Sequence, residues 1–159
     1  MYKRQALDGL GNKFETLNLG VKPYPSCRYS HAAIDGIIDL KKELDFSIDD
    51  LDDIDIGLSE TALNIIGYPL EDKQNPKSIV DGQFSMPFCA AVAAKSGGLK
   101  WDDYKDHLNN SDTLALCNKI KVNPDKDAEK CCPEFMSAKV KMVVKGKTCL
   151  LYTSPSPRD

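Results

Sequence analysis

The chain has 159 residues, a net charge of −3 at pH 7 and a pI near 5.4. Hydrophobic residues make up 42% and charged residues 28%, which is a globular composition and excludes a disordered chain. The acidic balance argues against a nucleic-acid partner, and no apolar run reaches the roughly 18 residues of a membrane-spanning helix.

The two ends of the chain differ from the rest. Residues 2–5 and 149–153 can be encoded by complementary strands of one DNA sequence, which resembles the transposon-end adapter of sequencing libraries. Segments of this kind are excluded from fold reasoning. We therefore predict that residues 1–5 and 148–159 derive from adapter DNA and that residues 6–147 form one truncated domain. A natural disordered tail is the alternative for the C-terminal segment.

The first predicted helix covers residues 30–44, where apolar residues recur at helical spacing between charged ones. Ser30 is its candidate N-cap, which places His31 in the first turn. Further along, Ser47 is predicted to cap a single turn. The alternation of apolar with small or acidic residues over 54–58 then indicates a half-buried strand.

Turn-forming residues dominate positions 67–76, which predicts a loop. A second helix is predicted to follow, with Pro87 in its first turn and Gly97-Gly98 at its end. Its alanines permit close packing against neighbouring elements.

Two short helices are predicted over residues 102–108 and 112–118, and two strands over 119–122 and 138–144. Helices and strands mix without a regular βαβ repeat. The sequence therefore predicts an α+β fold, a small layered domain in which helices pack on a mainly antiparallel sheet.

The chain has no convincing metal motif. The acidic run DDLDDID does not fit an EF-hand because Gly57 and Glu60 fall at the wrong offsets, so a solvated turn is the better interpretation. The adjacent Cys131 and Cys132 lack the spaced pairs of structural zinc sites. His107 lies on a short polar helix and is predicted to be a surface residue.

The cysteines outside the adapter segment are odd in number and irregularly spaced. They are Cys27, Cys89, Cys117, Cys131 and Cys132. This pattern is typical of free thiols in a reducing compartment and predicts a cytoplasmic protein.

The stretch KPYPSCRYSHAAID carries the strongest functional signal. Lys22, Arg28 and His31 surround the thiol of Cys27 just before the first predicted helix. A helix N-terminus attracts anions, the two cations would add charge, and an arginine can hold a carboxylate by two parallel bonds. The same positive environment would keep His31 neutral and able to accept a proton near pH 7.

A structural interpretation of this stretch stands beside the functional one. Pro23 and Pro25 would fix an extended connection, Arg28 would be solvated, and Cys27 would pack as a small hydrophobic side chain.

The same stretch, followed later in the chain by NPKSIVDGQFSMPFCAAVAAKSGG, resembles the second domain of the MmgE/PrpD family. That family includes 2-methylcitrate dehydratase, cis-aconitate decarboxylase and iminodisuccinate epimerase. Lys22 matches the lysine before the family's aromatic-proline pair, and His31 matches a histidine common in the broader family. Cys27 falls where cis-aconitate decarboxylases have an active-site histidine.

The resemblance implies a two-domain, typically dimeric enzyme that uses no metal and no organic cofactor. It also implies a preceding all-helical domain, absent from this chain, over which the α+β domain closes. The chemistry implied is proton transfer, elimination or decarboxylation next to carboxylate groups.

Three functional hypotheses follow. The first is the closing domain of a dehydratase-like lyase for a small di- or tricarboxylate, with Lys22 and Arg28 binding substrate and His31 and Cys27 transferring protons. The second is an isomerase or epimerase of the same family, which would exchange the substrate α-proton with solvent without elimination. The third is a non-catalytic packing or dimerisation domain.

Overall fold

The computed structural model describes residues 9–14, 16 and 19–153, and it confirms the predicted α+β class. Eight helices in this part of the chain pack on a four-stranded sheet. The helices are α1 (His31–Leu44), α2 (Glu60–Ala62), α3 (Leu70–Gln74), α4 (Ile79–Gln83), α5 (Met86–Ser96), α6 (Asp103–His107), α7 (Ser111–Cys117) and α8 (Lys126–Cys131). The strands are β1 (Leu51–Leu58), β2 (Ile120–Pro124), β3 (Ala138–Val144) and β4 (Lys147–Thr153). Single 3-10 turns cover Arg28–Ser30 and Ile48–Asp50, and a π turn covers Leu63–Gly67.

The sheet has the order β2-β1-β3-β4. β1 pairs with β3 in antiparallel orientation, as β3 does with β4, whereas β1 and β2 run parallel. The sheet is therefore mainly antiparallel, as predicted. The parallel pair needs a long crossover, and helices α2 to α7 provide it.

Strand alternation decides which face of the sheet is buried. In register, Ile54 lies opposite Ile120 and Met142, and all three side chains are fully buried. On the opposite face Lys121 pairs with Asp53 across the strands at 3.3 Å. One face of the sheet therefore carries the core and the other carries charge.

Helix α5 lies at the centre of the helical layer. Its first nine residues, Met86 to Ala94, are all buried, and it packs against α1, α7 and β2. Ser85 caps its N-terminus by accepting from the Phe88 N–H at 3.0 Å. Gly97 ends the helix at φ 71°, which a residue without a side chain adopts without strain. Both ends agree with the prediction.

Helix α1 packs one buried face on β3, β4 and α5. Lys41, in its last turn, donates to the main-chain oxygens of Ala94 and Lys95, which lie at the C-terminus of α5. This contact satisfies carbonyl groups that the end of a helix leaves unpaired and joins the two helices. Burial lowers the pKa of the Lys41 ammonium.

Five elements of the structure differ from the sequence prediction. Helix α2 was not predicted, because it has only three residues. The predicted loop at 67–76 contains α3, which begins after Pro69. Helices α4 and α8 were not predicted, because each has only five or six residues and no repeating apolar pattern. Strand β4 was not predicted either.

Strand β4 begins at Lys147 and covers residues 148–153, which we assign to adapter DNA. Strand pairing uses main-chain groups, which any sequence except proline provides. The presence of β4 therefore does not test whether residues 148–153 derive from adapter DNA, and that assignment stays a prediction. Residues 1–5 and 154–159, the rest of the predicted adapter segments, lie outside the described residues.

Strand β1 passes close to the loop before α8 at Gly57. A Cβ atom built there would lie 2.8 Å from the Cβ of Asp125, whose carboxylate accepts from the N–H groups of Asp127 and Ala128 at 2.9 and 3.0 Å. A side chain at position 57 would therefore push against the residue that caps α8.

We expect Gly57→Ala to lower the free energy of unfolding by about 1–3 kcal/mol, because overpacking forces side chains or backbone to shift. Urea unfolding measures this change. Gly98→Ala is the matched control: no atom lies within 4 Å of its built Cβ, and we expect a change within about 0.5 kcal/mol. Equal effects of the two substitutions would contradict the close contact at Gly57.

Candidate functional site

The loop at residues 22–27 is fixed to the domain through the Pro25 carbonyl and the Cys27 N–H. The Pro25 carbonyl accepts from Gln83 Nε2 and from the Tyr104 hydroxyl, each at 3.0 Å. The Cys27 N–H donates to the main-chain oxygen of Gln83 at 2.9 Å. Because Gln83 and Tyr104 lie 58 and 79 residues from Pro25, the fold of the whole helical layer holds this loop.

The next two carbonyls are satisfied within the loop and the start of α1. The Ser26 carbonyl accepts from Lys22 Nζ at 3.3 Å and from His31 Nε2 at 3.4 Å. The Cys27 carbonyl accepts from the N–H and the hydroxyl of Ser30, at 3.0 and 2.8 Å. Lys22 and His31 therefore both donate to the same main-chain oxygen, that of Ser26.

Ser30 precedes α1 as predicted, but its side chain does not cap the helix. A 3-10 turn over Arg28–Ser30 comes first, and the His31 N–H already donates to the Arg28 carbonyl. The Ser30 hydroxyl lies 2.8 Å from that of Ser26 instead. Helical backbone thus begins at Arg28, and two of the amide groups expected to attract an anion are used within the turn.

Arg28 and His31 are in direct contact. Arg28 Nη1 lies 3.2 Å from His31 Nδ1. A guanidinium can only donate, so Nδ1 is the acceptor and carries no proton in this contact. The proton of the neutral ring is then on Nε2, which donates to the Ser26 carbonyl. Both ring nitrogens of His31 are engaged, and the side chain is fully buried.

The environment keeps His31 neutral. Burial, followed by the charge of Arg28, lowers the pKa of the imidazole to about 4, with a smaller contribution in the same direction from Lys22. The hydrogen bond to Ser26 and the charge of Asp35 act in the opposite direction. The sequence predicted a lowered pKa from the positive end of a helix, whereas the main physical cause is the loss of water around the ring.

Tyr24 supports the same imidazole from the side. The two rings meet edge to face with their centres 5.4 Å apart. The Tyr24 hydroxyl donates to Asp35 Oδ1 at 2.6 Å, which ties the loop to the second turn of α1. His31 is therefore held by a ring contact, two hydrogen bonds and the packing of α1.

Two of the four predicted site residues line a pocket, and the other two do not. An open pocket of about 200 Å³ is lined by Lys22, Pro25, Ser26, Cys27, Gln83, Phe84 and Trp101. Lys22 and Cys27 thus face a common space, with an aromatic wall beside them. Arg28 and His31 contact each other but do not line this pocket.

Neither cation of the loop is paired with a carboxylate in the part of the chain that the structure describes. Among the described residues, Lys22 and Arg28 make no ion pair with a carboxylate. Asp35, the acidic residue closest in sequence, accepts from Tyr24 instead. The site therefore presents an excess of positive charge in a chain whose net charge is negative.

Two larger cavities suit an anionic ligand less well because aspartates line both of them, whereas no acidic residue lines the pocket of Lys22 and Cys27. The first cavity has a volume of about 500 Å³, and Phe84 and Lys73 are among the residues that line it. Lys73 donates to the carbonyls of Ile65 and Phe84, at 2.8 Å each. The other has a volume of about 350 Å³. Its Lys119 donates to the Leu51 carbonyl at 3.0 Å.

His107 differs from its predicted role as a surface residue. It is half-buried, and its Nδ1 and Nε2 lie 2.8 and 3.2 Å from the hydroxyls of Thr113 and Ser96. Burial and then the charge of Lys95 lower the pKa of His107. It joins α6 to the end of α5 and lies outside the candidate site.

Gln83 and Tyr104 were not identified by sequence reasoning. No spacing rule connects them with Pro25, and only the position of Gln83 within the second family-like motif gave any signal. Tyr104 is fully buried and stacks on Phe88 with a centre distance of 5.8 Å. Burial raises the pKa of its hydroxyl, so it remains a donor to Pro25.

The described residues contain neither a metal-binding cluster nor a membrane-spanning helix. No group of three or more His, Cys, Asp or Glu side chains is placed to hold a metal ion in the part of the chain described. In the same part, no helix has the length and apolar character needed to cross a membrane.

Comparison with known sequences places the chain in a family. The profile of the MmgE/PrpD C-terminal domain matches residues 24–153, from Tyr24 within the loop to the end of β4. No curated protein matches the chain. The profile describes the C-terminal domain of the family, which implies that the family also has an N-terminal domain. The chain therefore belongs to the MmgE/PrpD family, and it carries the family's C-terminal domain.

Proposed function

We propose that this domain supplies the cationic half of the active site of a cofactor-independent lyase that acts on a small di- or tricarboxylate. The contact of Arg28 with His31 carries the proposal, because it joins a group that binds carboxylates to a group that accepts protons. Lys22, on the same loop, provides a second cation without a carboxylate partner among the described residues.

The size of the pocket agrees with half a site. Its volume of about 200 Å³ lies below the roughly 300–1,000 Å³ of complete small-molecule sites. The pocket is open, and exposed aromatic side chains, Phe84 and Trp101, form its wall. A second domain closing over this surface would complete the pocket and exclude water, which strengthens the interactions of charged groups.

The proposed mechanism includes an exchange of partners during binding. A carboxylate that binds Arg28 through both Nη1 and Nη2 would compete with the contact between Nη1 and His31 Nδ1. When a carboxylate takes Arg28, the lone pair of Nδ1 is released and the positive charge beside the ring is neutralised. Both changes make His31 a stronger base at the moment when substrate is present.

The proposed reaction is an elimination. His31 is fully buried and does not line the pocket, so the step requires Arg28 to move aside and give substrate access to the ring. His31 Nδ1 then takes a proton from a carbon next to a carboxylate, and Lys22 and Arg28 stabilise the negative charge that develops on that carboxylate. The electron pair of the broken C–H bond forms the C=C bond as a hydroxyl group on the neighbouring carbon leaves as water. Cys27, which lines the pocket, is the second candidate for proton transfer and would protonate that hydroxyl.

The exchange predicts that citrate raises the pKa of His31. The imidazole carbon-bound protons of the two histidines in the chain can be followed by NMR from pH 4 to 8, with His107→Gln used for assignment. We expect citrate to raise the pKa of His31 by about one unit or more, compared with chloride at the same ionic strength.

Arg28→Met is the matched variant for that titration. Without ligand it should already raise the pKa of His31, because the nearby positive charge is gone, and citrate should then add little. A non-catalytic packing domain predicts no effect of citrate on either histidine, and that outcome would sink the proposed function.

The neutral, buried His31 also predicts a dependence of stability on pH. As pH falls, the unfolded chain protonates this ring near its usual pKa of about 6.5, whereas the folded chain does so only near 4. The unfolded state binds more protons in this window, so the free energy of unfolding falls from pH 6.5 towards 4, by up to about 3 kcal/mol.

Urea unfolding at several pH values tests this prediction. His31→Gln should flatten the pH dependence even if it also lowers stability at pH 7. The control, His107→Gln, should keep most of it, since the pKa of His107 is lowered less strongly. The same slope in the wild type and in His31→Gln would show that His31 is not held neutral by the fold.

In the intact two-domain enzyme, we expect His31→Gln to reduce turnover at least about tenfold, because a positioned base contributes roughly 10²–10⁴-fold. His107→Gln should keep wild-type turnover within about twofold, since His107 lies outside the candidate site. Turnover measured by loss of substrate would contradict the role of His31 if both variants matched the wild type.

A further inference from the structure

Gln83 has a place in the candidate site that its role in the fold does not fully use. One N–H of its carboxamide donates to the Pro25 carbonyl, at 3.0 Å between Nε2 and the oxygen. Gln83 is also one of the residues that line the pocket shared by Lys22 and Cys27. No further hydrogen bond of this carboxamide occurs among the described residues.

An amide has two N–H groups and an oxygen, so at least one donor of Gln83 is left for a ligand. The bond to Pro25 fixes the plane of the amide, and the main-chain bond from Cys27 fixes the backbone beneath it. A donor held in this way costs little entropy when a ligand binds. Its orientation is therefore set before binding.

The chemistry of the neighbouring residues indicates which ligand group the amide would meet. Lys22 brings a positive charge to the same pocket, and Phe84 and Trp101 form an apolar wall. A carboxylate bound between an ammonium and an amide N–H would be held by two donors of different direction. A neutral amide also avoids the repulsion that an acidic residue would cause there.

We propose that Gln83 is a further ligand-binding residue of this domain, whose free amide N–H contacts the same carboxylate as the Lys22 ammonium. The inference rests on the proposed function, since it needs a carboxylate ligand in this pocket. It assigns to Gln83 the selection of a carboxylate over a neutral group of the same size.

The thiol of Cys27 allows a test on the chain as it exists, without knowledge of the substrate. Iodoacetate and iodoacetamide differ in carrying a carboxylate or a neutral amide. In both reactions the thiolate sulfur forms a bond to carbon, iodide leaves, and the thiol proton goes to solvent. The ratio of the two alkylation rates at Cys27 therefore measures preference for a carboxylate in the pocket.

Peptide mass spectrometry would give this ratio for Cys27, with the peptide of Cys131 and Cys132 in the same sample as reference. These two cysteines are half-exposed and lie outside the pocket. We expect Cys27 to favour iodoacetate relative to the reference, and Lys22→Met to remove that preference. Lys77→Met, which removes an exposed lysine of the neighbouring cavity, should keep it.

Gln83→Met should lower the preference of Cys27 for iodoacetate about threefold, because a donor to a charged group is lost. Gln83→Glu should lower it further through repulsion. Tyr104→Phe is the matched control: it removes the other donor to the Pro25 carbonyl but no group that lines the pocket. It should change both alkylation rates in parallel and leave their ratio unchanged.

The outcomes separate this inference from the proposed function. If Cys27 shows no preference for iodoacetate in the wild type, both are overturned. If the preference depends on Lys22 but not on Gln83, or if Gln83→Met and Tyr104→Phe change the ratio equally, only the role of Gln83 in ligand binding is overturned. Thermal unfolding of each variant confirms that the comparison is made between folded proteins.

Discussion

The close packing of α5 is the constraint from which the position of the candidate site follows. Nine successive residues of this helix are buried, and four of them are alanines, so α1 and β2 can approach its axis closely. Phe88 on the same helix stacks on Tyr104, whose hydroxyl holds the Pro25 carbonyl. The core therefore fixes the loop through one ring contact and one hydrogen bond. A loop anchored in this way loses little conformational freedom when it binds a ligand, and this pre-organisation favours binding.

The site keeps its positive charge because no described carboxylate pairs with Lys22 or Arg28. Lys22 and Arg28 have no carboxylate partner among the described residues, although the chain has more acidic than basic residues. Its acidic side chains are used elsewhere: Asp125 caps α8, Asp53 pairs with Lys121 across the strands, and Asp35 accepts from Tyr24. This separation leaves the loop positive, and its charge adds to the larger effect of burial in keeping the imidazole of His31 neutral.

Much of the fold could be predicted from the sequence, because it follows from local periodicity. The apolar spacing of α1, the alternation in β1 and β3 and the glycine at the end of α5 each reflect a rule that acts within a few residues. Helices α2, α3, α4 and α8 were missed because each has at most six residues. Three of them begin at a side-chain cap such as Ser78, which accepts from the Asp81 N–H, whereas α3 begins after Pro69 without one.

The candidate site could be predicted only where its residues are neighbours in sequence. Lys22, Cys27, Arg28 and His31 lie within ten positions, and the motif brought them to attention. What the spacing could not reveal is that Arg28 donates to His31, which turns two independent roles into a coupled pair. The spacing also could not reveal the contacts of Gln83 and Tyr104 with Pro25, since these depend on how α4 and α6 pack.

Under the proposed function, the contact of Arg28 with His31 would tie proton transfer to the presence of an acid group and not to one particular substrate. The base would gain strength only when a carboxylate takes the arginine. The residue at position 27 lines the pocket, whereas Arg28 and His31 do not, so that residue could vary without removing their contact. The residues that line the pocket would thus select the reaction, whereas the contact of Arg28 with the buried His31 would impose the requirement for a carboxylate.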